Sequence, residues 1–148
     1  MVKHKIHRAF LALIKEKISN QTNVKIELQQ TAANETKSTA GDKHETALAM
    51  LQIEQAQVDA KLEVLRIQLL ELNQIDVEKV HTFAALGSLL ISNNGFFYLS
   101  TALGKITIDD KIIFALSIKS PLGLLFLQKQ KGDTFYFREL QYTILDIL

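Results

Sequence analysis

Residues 51–72 read LQIEQAQVDAKLEVLRIQLLEL, and the spacing within that stretch decides the fold of the first half of the chain. Leu51, Glu54, Val58, Leu62, Leu65, Leu69 and Leu72 recur at intervals of three and four, a heptad seam with one polar interruption. The stretch holds no glycine or proline and is rich in Leu, Gln, Glu and Ala, which favour helix. A helix from about Asp42 to Asn73 would be roughly 45 Å long. Working back toward the N-terminus, Ile6, Phe10, Leu13/Ile14, Ile18, Val24 and Leu28 form a looser helical stripe. Between the two lies AANETKSTAGDK, residues 32–43, a small and polar segment closed by Gly-Asp and of turn composition. Two helices joined by a short loop pack antiparallel. Residues 1–75 are therefore expected to form an antiparallel coiled-coil hairpin with its tip at about 33–44. An arm of that length exceeds what a small domain needs for cover, so the tip is expected to project. A compact bundle, or a dimeric four-helix assembly through the same seam, would use the same pattern.

The texture changes near Asn73-Gln74-Ile75-Asp76. Beyond it come five of the six glycines, the only proline, Pro121, and nearly all the aromatics. Segments 87–92 and 96–101 flank Asn93-Asn94-Gly95, a strong hairpin signal because Asn-Gly accepts positive φ. Segments 106–108 and 112–118 flank Asp109-Asp110-Lys111. Pro121 to Leu127 suits a short helix, with Ser120 as N-cap and Pro121 at the first helical position. Gly132-Asp133 precedes two last strands at 134–137 and 141–145. The fold class expected is α+β: a helical hairpin followed, over 76–148, by an antiparallel sheet with a short helix packed on it.

Composition narrows function. The chain of 148 residues is 47% hydrophobic, which supports a packed core, and its net charge of +1 gives no global pull toward nucleic acid or anionic membrane. The absence of cysteine excludes disulfides, thiolate metal sites and cysteine nucleophiles. The start, MVKHKIHR, is basic like a signal peptide, but the apolar stretch after it is too short for one. No apolar run approaches the roughly 18 residues of a membrane span. The expectation is a soluble, cytoplasmic protein. Phosphate-binding, dinucleotide-binding, nucleophile-elbow and zinc-protease motifs are all missing from the sequence.

The chemistry-bearing residues lie at the hairpin tip, Gly41-Asp42-Lys43-His44-Glu45. Three residues apart at a helix start, the carboxylates of Asp42 and Glu45 fall on one side of the first turn. Two such groups can complete a Mg²⁺ shell whose other ligands are waters, phosphates or a partner's groups. Asp-x-x-Glu is equally a capping box, with Glu45 reaching back to the Asp42 backbone. Lys3, Lys5, Arg8, Lys15 and Lys17 make the first helix basic, either to meet nucleic-acid phosphate or as a solvated face. His4 and His7, with no third ligand nearby, read as a surface pair. His81 carries no legible signal. The aromatics of the second half read as core filling rather than as base-stacking platforms.

Taken in order, Gly41-Asp42-x-x-Glu45-x-Ala47, Ile75-Asp76-Val77, Ser120-Pro121-Leu122 and Lys131-Gly132-Asp133 resemble the GreA/GreB transcript-cleavage and elongation factors over nearly the whole chain. The resemblance implies an FKBP-like C-terminal domain and RNA polymerase as partner, entered through its secondary channel. It implies that Asp42 and Glu45 hold a catalytic Mg²⁺ jointly with the polymerase, which then hydrolyses backtracked RNA. It also implies that Ser120 and Pro121 lie in the docking domain, and the basic first helix is placed to meet the RNA 3′ end. The chain would then be a cofactor of the polymerase's own cleavage rather than a stand-alone enzyme. The family's tip runs G-D-L-x-E-N-A-E-Y, whereas Lys43, Thr46, Leu48 and Ala49 stand here in place of Leu, Asn, Glu and Tyr. That departure opens the alternative of a regulator that binds the channel without promoting cleavage. A prolyl isomerase or chaperone, suggested by an FKBP-like fold alone, leaves the long helices unexplained.

Overall fold

The computed structural model describes residues 2–35 and 41–148, with the side chains of Glu35 and of 41–44 outside that description. The fold is α+β. Two long helices, α1 (Val2–Glu35) and α2 (Gly41–Asn73), precede β1 (Leu89–Ser92), β2 (Gly95–Ser100), β3 (Gly104–Ile108) and β4 (Lys111–Ser117). The short α3 (Pro121–Phe126), β5 (Thr134–Phe137) and β6 (Leu140–Ile147) complete it. The chain divides into two compact units, one of Met1–Leu13 with Gln68–Leu148, the other Ile14–Ile67.

In the first unit the six strands form one sheet in the order β3-β4-β2-β1-β6-β5. The sheet is mixed, which corrects the expectation of an antiparallel one: β2 and β4 pair in parallel, Phe96 on Ile113 through Ser100 on Ser117. Every other pairing is antiparallel. Strand β4 returns between β2 and β3 instead of adding to the outside, so two antiparallel hairpins meet along a parallel seam. The Asn93-Asn94 turn closes β1 on β2, with Ser92 opposite Gly95, as its sequence demands. Asp109 and Asp110 close β3 on β4 at φ of 51° and 64°, the left-handed pair that a two-residue hairpin turn requires.

Alternation along β2 sends Phe97 and Leu99 to one face and Tyr98 to the other, and both faces are covered. On the first face Phe97, Phe126 of α3 and Tyr142 of β6 form an aromatic core, with ring centroids 5.2 to 6.1 Å apart, joined by Leu90, Leu99 and Ile144. On the other face, the opening turns of α1 lie over the sheet, and the Phe10 ring stacks on Tyr98 at 6.1 Å. Each such fully buried side chain contributes about 1.5–3 kcal/mol of transfer free energy.

In the second unit, Val58 and Leu62 of α2 are buried and Leu65 is half-buried, as the seam predicts. Glu54 is exposed and Gln55 is half-buried, which corrects the polar interruption to Gln55. With Gln55 in place, the seam over Leu51, Gln55, Val58, Leu62 and Leu65 alternates four and three without a break. On α1 the half-buried residues are Ile18, Gln21, Lys25, Leu28 and Ala32, while Val24 of the expected stripe is 38% exposed. Lys25 bridges to Asp59 of α2 at 2.8 Å.

Candidate functional site

The residues expected at the hairpin tip come from the start of α2, which already includes Gly41. Asp42 and Glu45 therefore sit within the first turns of one 33-residue helix. Glu45 is exposed. The side chain of Asp42, the loop 36–40, and with them the capping-box geometry lie outside the described residues. Among the described residues no three His, Asp or Glu side chains gather as a metal centre. An ion at this tip would have two carboxylates from this chain and would need the rest of its oxygen shell from elsewhere.

The Ser120-Pro121 element is fully described. Ser120 is the N-cap of α3: its Oγ accepts from the Gly123 N–H at 3.0 Å and donates to the Ser117 carbonyl at 2.7 Å. Pro121 occupies the first turn, where its missing N–H costs nothing. Gly123 is required by close approach: a Cβ there would overlap the Ser117 carbonyl oxygen and stand 2.9 Å from Ser120 Oγ. The cap thus holds α3 against the end of β4, with Phe126 driven into the aromatic core. Pro121, Leu124 and Leu125 are left exposed, Leu124 at 58%.

The basic start of α1 is less available than its sequence suggests. Lys3 is buried, and its Nζ donates to the Lys79 carbonyl at 2.8 Å. Burial lowers the Lys3 pKa, partly opposed by Asp76. Lys5 reaches both carboxylate oxygens of Asp109 at 3.0 Å. Arg8, Lys15 and Lys17 remain exposed.

The histidines also differ from expectation. His4 lies 2.7 Å from Glu78, but His7 is buried, with Nδ1 2.7 Å from the Tyr98 hydroxyl. The two do not form a surface pair. Burial first, then His4 and Lys3, push the His7 pKa below its ordinary 6.5. Burial likewise drives the Tyr98 phenol well above its usual range. His81 is buried too, and its Nε2 has no hydrogen-bond partner among the described residues. Its pKa is lowered by burial and then by Lys3 and Lys79. The signal for His7 was present in the sequence: it stands three before Phe10 and four after Lys3, on the inward stripe of α1. For His81 no local signal exists, because it lies in a segment with neither helical nor strand periodicity.

No protein-family model matches the chain, and no curated protein matches it significantly. None of the described helices is long and apolar enough to cross a membrane.

Proposed function

We propose that this protein is a Gre-like transcription elongation factor, which enters the secondary channel of RNA polymerase and promotes cleavage of backtracked RNA through Asp42 and Glu45. The observation that carries the reading is their position: two acids in the opening turns of a 33-residue helix that follows a 34-residue helix, in a chain that then builds a six-stranded sheet. The Lys25–Asp59 bridge, and a groove where Lys17 and Gln21 stand beside Lys61 and Leu65, fit an antiparallel coiled-coil hairpin, since α2 numbers fall as α1 numbers rise. The sheet with α3 across it serves as the FKBP-like docking domain, with Ser120 and Pro121 presenting Leu124 and Leu125 to the polymerase.

Mg²⁺, when bound, supplies the charge neutralisation that phosphodiester hydrolysis needs. Asp42 and Glu45 would hold it from one side, and the polymerase from the other. A helix N-terminus does not itself favour a cation, so both carboxylates are required to make the tip attractive to a metal. The exposed Arg8, Lys15 and Lys17 remain as contacts for RNA phosphate.

A second reading is favoured by Lys43, Thr46, Leu48 and Ala49, which differ from the family's tip: the protein occupies the channel and regulates without cleavage. One experiment divides the two. Wild type and Asp42→Asn are added at matched occupancy to a stalled, backtracked elongation complex, and RNA shortening is followed. Asn keeps the size and hydrogen-bonding capacity of the side chain while removing the charge. Cleavage by wild type that falls at least about 100-fold in the variant, with polymerase binding retained, supports the metal role. Equal cleavage refutes it, and binding without cleavage by wild type establishes the regulator.

A further inference from the structure

Among its described residues helix α2 is apolar on two faces, one covered and one exposed. Opposite the buried seam, Met50 (59%), Ile53 (59%), Val64 (55%) and Ile67 (46%) are exposed. Gln57 and Ala60, also exposed, complete the series 50, 53, 57, 60, 64, 67. Its intervals of three, four, three, four and three are those of a coiled-coil seam. A groove of about 550 Å³ runs beside Ala60 and Val64, with Lys17, Asn20 and Gln21 of α1 on its other side. Isolated surface apolar residues are ordinary, but two pairs of large apolar residues held in one heptad register over five turns are not.

We infer that this second seam joins two copies of the chain, α2 against α2 in antiparallel orientation. The stripe is complementary to itself that way. Met50 falls on Ile67 of the second copy, Ile53 on Val64, and Gln57 on the small Ala60, and two-fold symmetry makes each contact twice. Charge selects the same arrangement. Glu54 and Lys61 are exposed on one edge of the stripe, and neither takes part in an ion pair among the described residues. Antiparallel pairing sets Glu54 opposite Lys61 of the second copy at both ends. Parallel pairing sets these charges against Ala49 and Ala56 and gains nothing from them. A helix of an unrelated protein would have to supply both the apolar register and the reversed charges. The second copy already has both, and the association does not depend on the polymerase reading.

Sedimentation velocity on the full chain, from about 1 µM to about 1 mM, tests the inference. The expected result is a concentration-dependent dimer. Glu54→Lys and Lys61→Glu each weaken it by roughly tenfold or more, because each sets like charges across the edge twice. The double variant restores it. Ile53→Glu with Val64→Glu gives a monomer whose far-ultraviolet circular dichroism is unchanged, since neither side chain is in the buried seam. A monomer at every concentration overturns the inference, as does a dimer indifferent to these substitutions. Failure of the double charge reversal to restore association overturns the antiparallel pairing.

Discussion

Replacing Gly123 with alanine adds one methyl group, and the surroundings fix its consequence. The new Cβ would overlap the Ser117 carbonyl oxygen and crowd Ser120 Oγ at 2.9 Å. The first obstacle is backbone at the end of β4, so no rotamer change relieves it. Helix α3 has to move away, which breaks the Ser120 bonds to Gly123 N–H and to the Ser117 carbonyl. Loss of the cap costs about 1 kcal/mol, and overpacking costs about 1–3 kcal/mol. The better helix propensity of alanine returns at most about 1 kcal/mol. The net expectation is a loss of roughly 1–3 kcal/mol, with Phe126 pulled partly out of the aromatic core. Urea titration followed by near-ultraviolet circular dichroism measures this, because the unit contains Tyr98, Tyr142 and the phenylalanine cluster. Ser120→Ala, which removes the cap but adds no atom, should lose only about 1 kcal/mol. Gly123→Ala at or above wild-type stability, or milder than Ser120→Ala, would refute the close-approach argument.

Tyr98→Phe leaves His7 Nδ1 buried without its 2.7 Å partner and should cost about 1–3 kcal/mol, measured by the same titration; a neutral result would show that the nitrogen finds another partner. Acidification should also destabilise this unit. His7 and His81 have folded-state pKa values below 6.5, so the unfolded chain binds more protons, and the stability present above pH 6.5 is lost as pH falls through the folded values. His81→Leu removes one of the two groups and the orphaned Nε2 with it. The variant should therefore show a shallower fall in melting temperature between pH 7 and 5 than wild type, and an unchanged slope would exclude His81 as a contributor.

The sequence by itself determined whatever rests on neighbours along the chain. Heptad spacing specified α2, Asn93-Asn94-Gly95 and Asp109-Asp110 specified two tight hairpins, and Ser120-Pro121 specified the start of α3 to the residue. These signals work because capping, turn geometry and helical periodicity are set within a few residues. The exact seam was harder, since moving from Glu54 to Gln55 turns a side chain by only about 100° of helix. Only burial on the folded helix separates the two.

Tertiary structure decided the rest. The parallel β2–β4 pairing joins strands with β3 between them in sequence, and no hairpin signal records such a contact. Arg138 and Glu139 turn β5 into β6 at φ of 50° and 67°, without the Gly or Asn that would announce a left-handed turn. Pairing of the strands on either side holds them there. Lys3, His7 and His81 were buried by segments more than seventy residues away or by a loop without periodicity, so residues that look solvent-facing in the sequence became interior. Asp42 and Glu45 are the converse case: the start of α2 that carries them was legible in local spacing, which a sequence displays directly, and their role as metal ligands is a proposal.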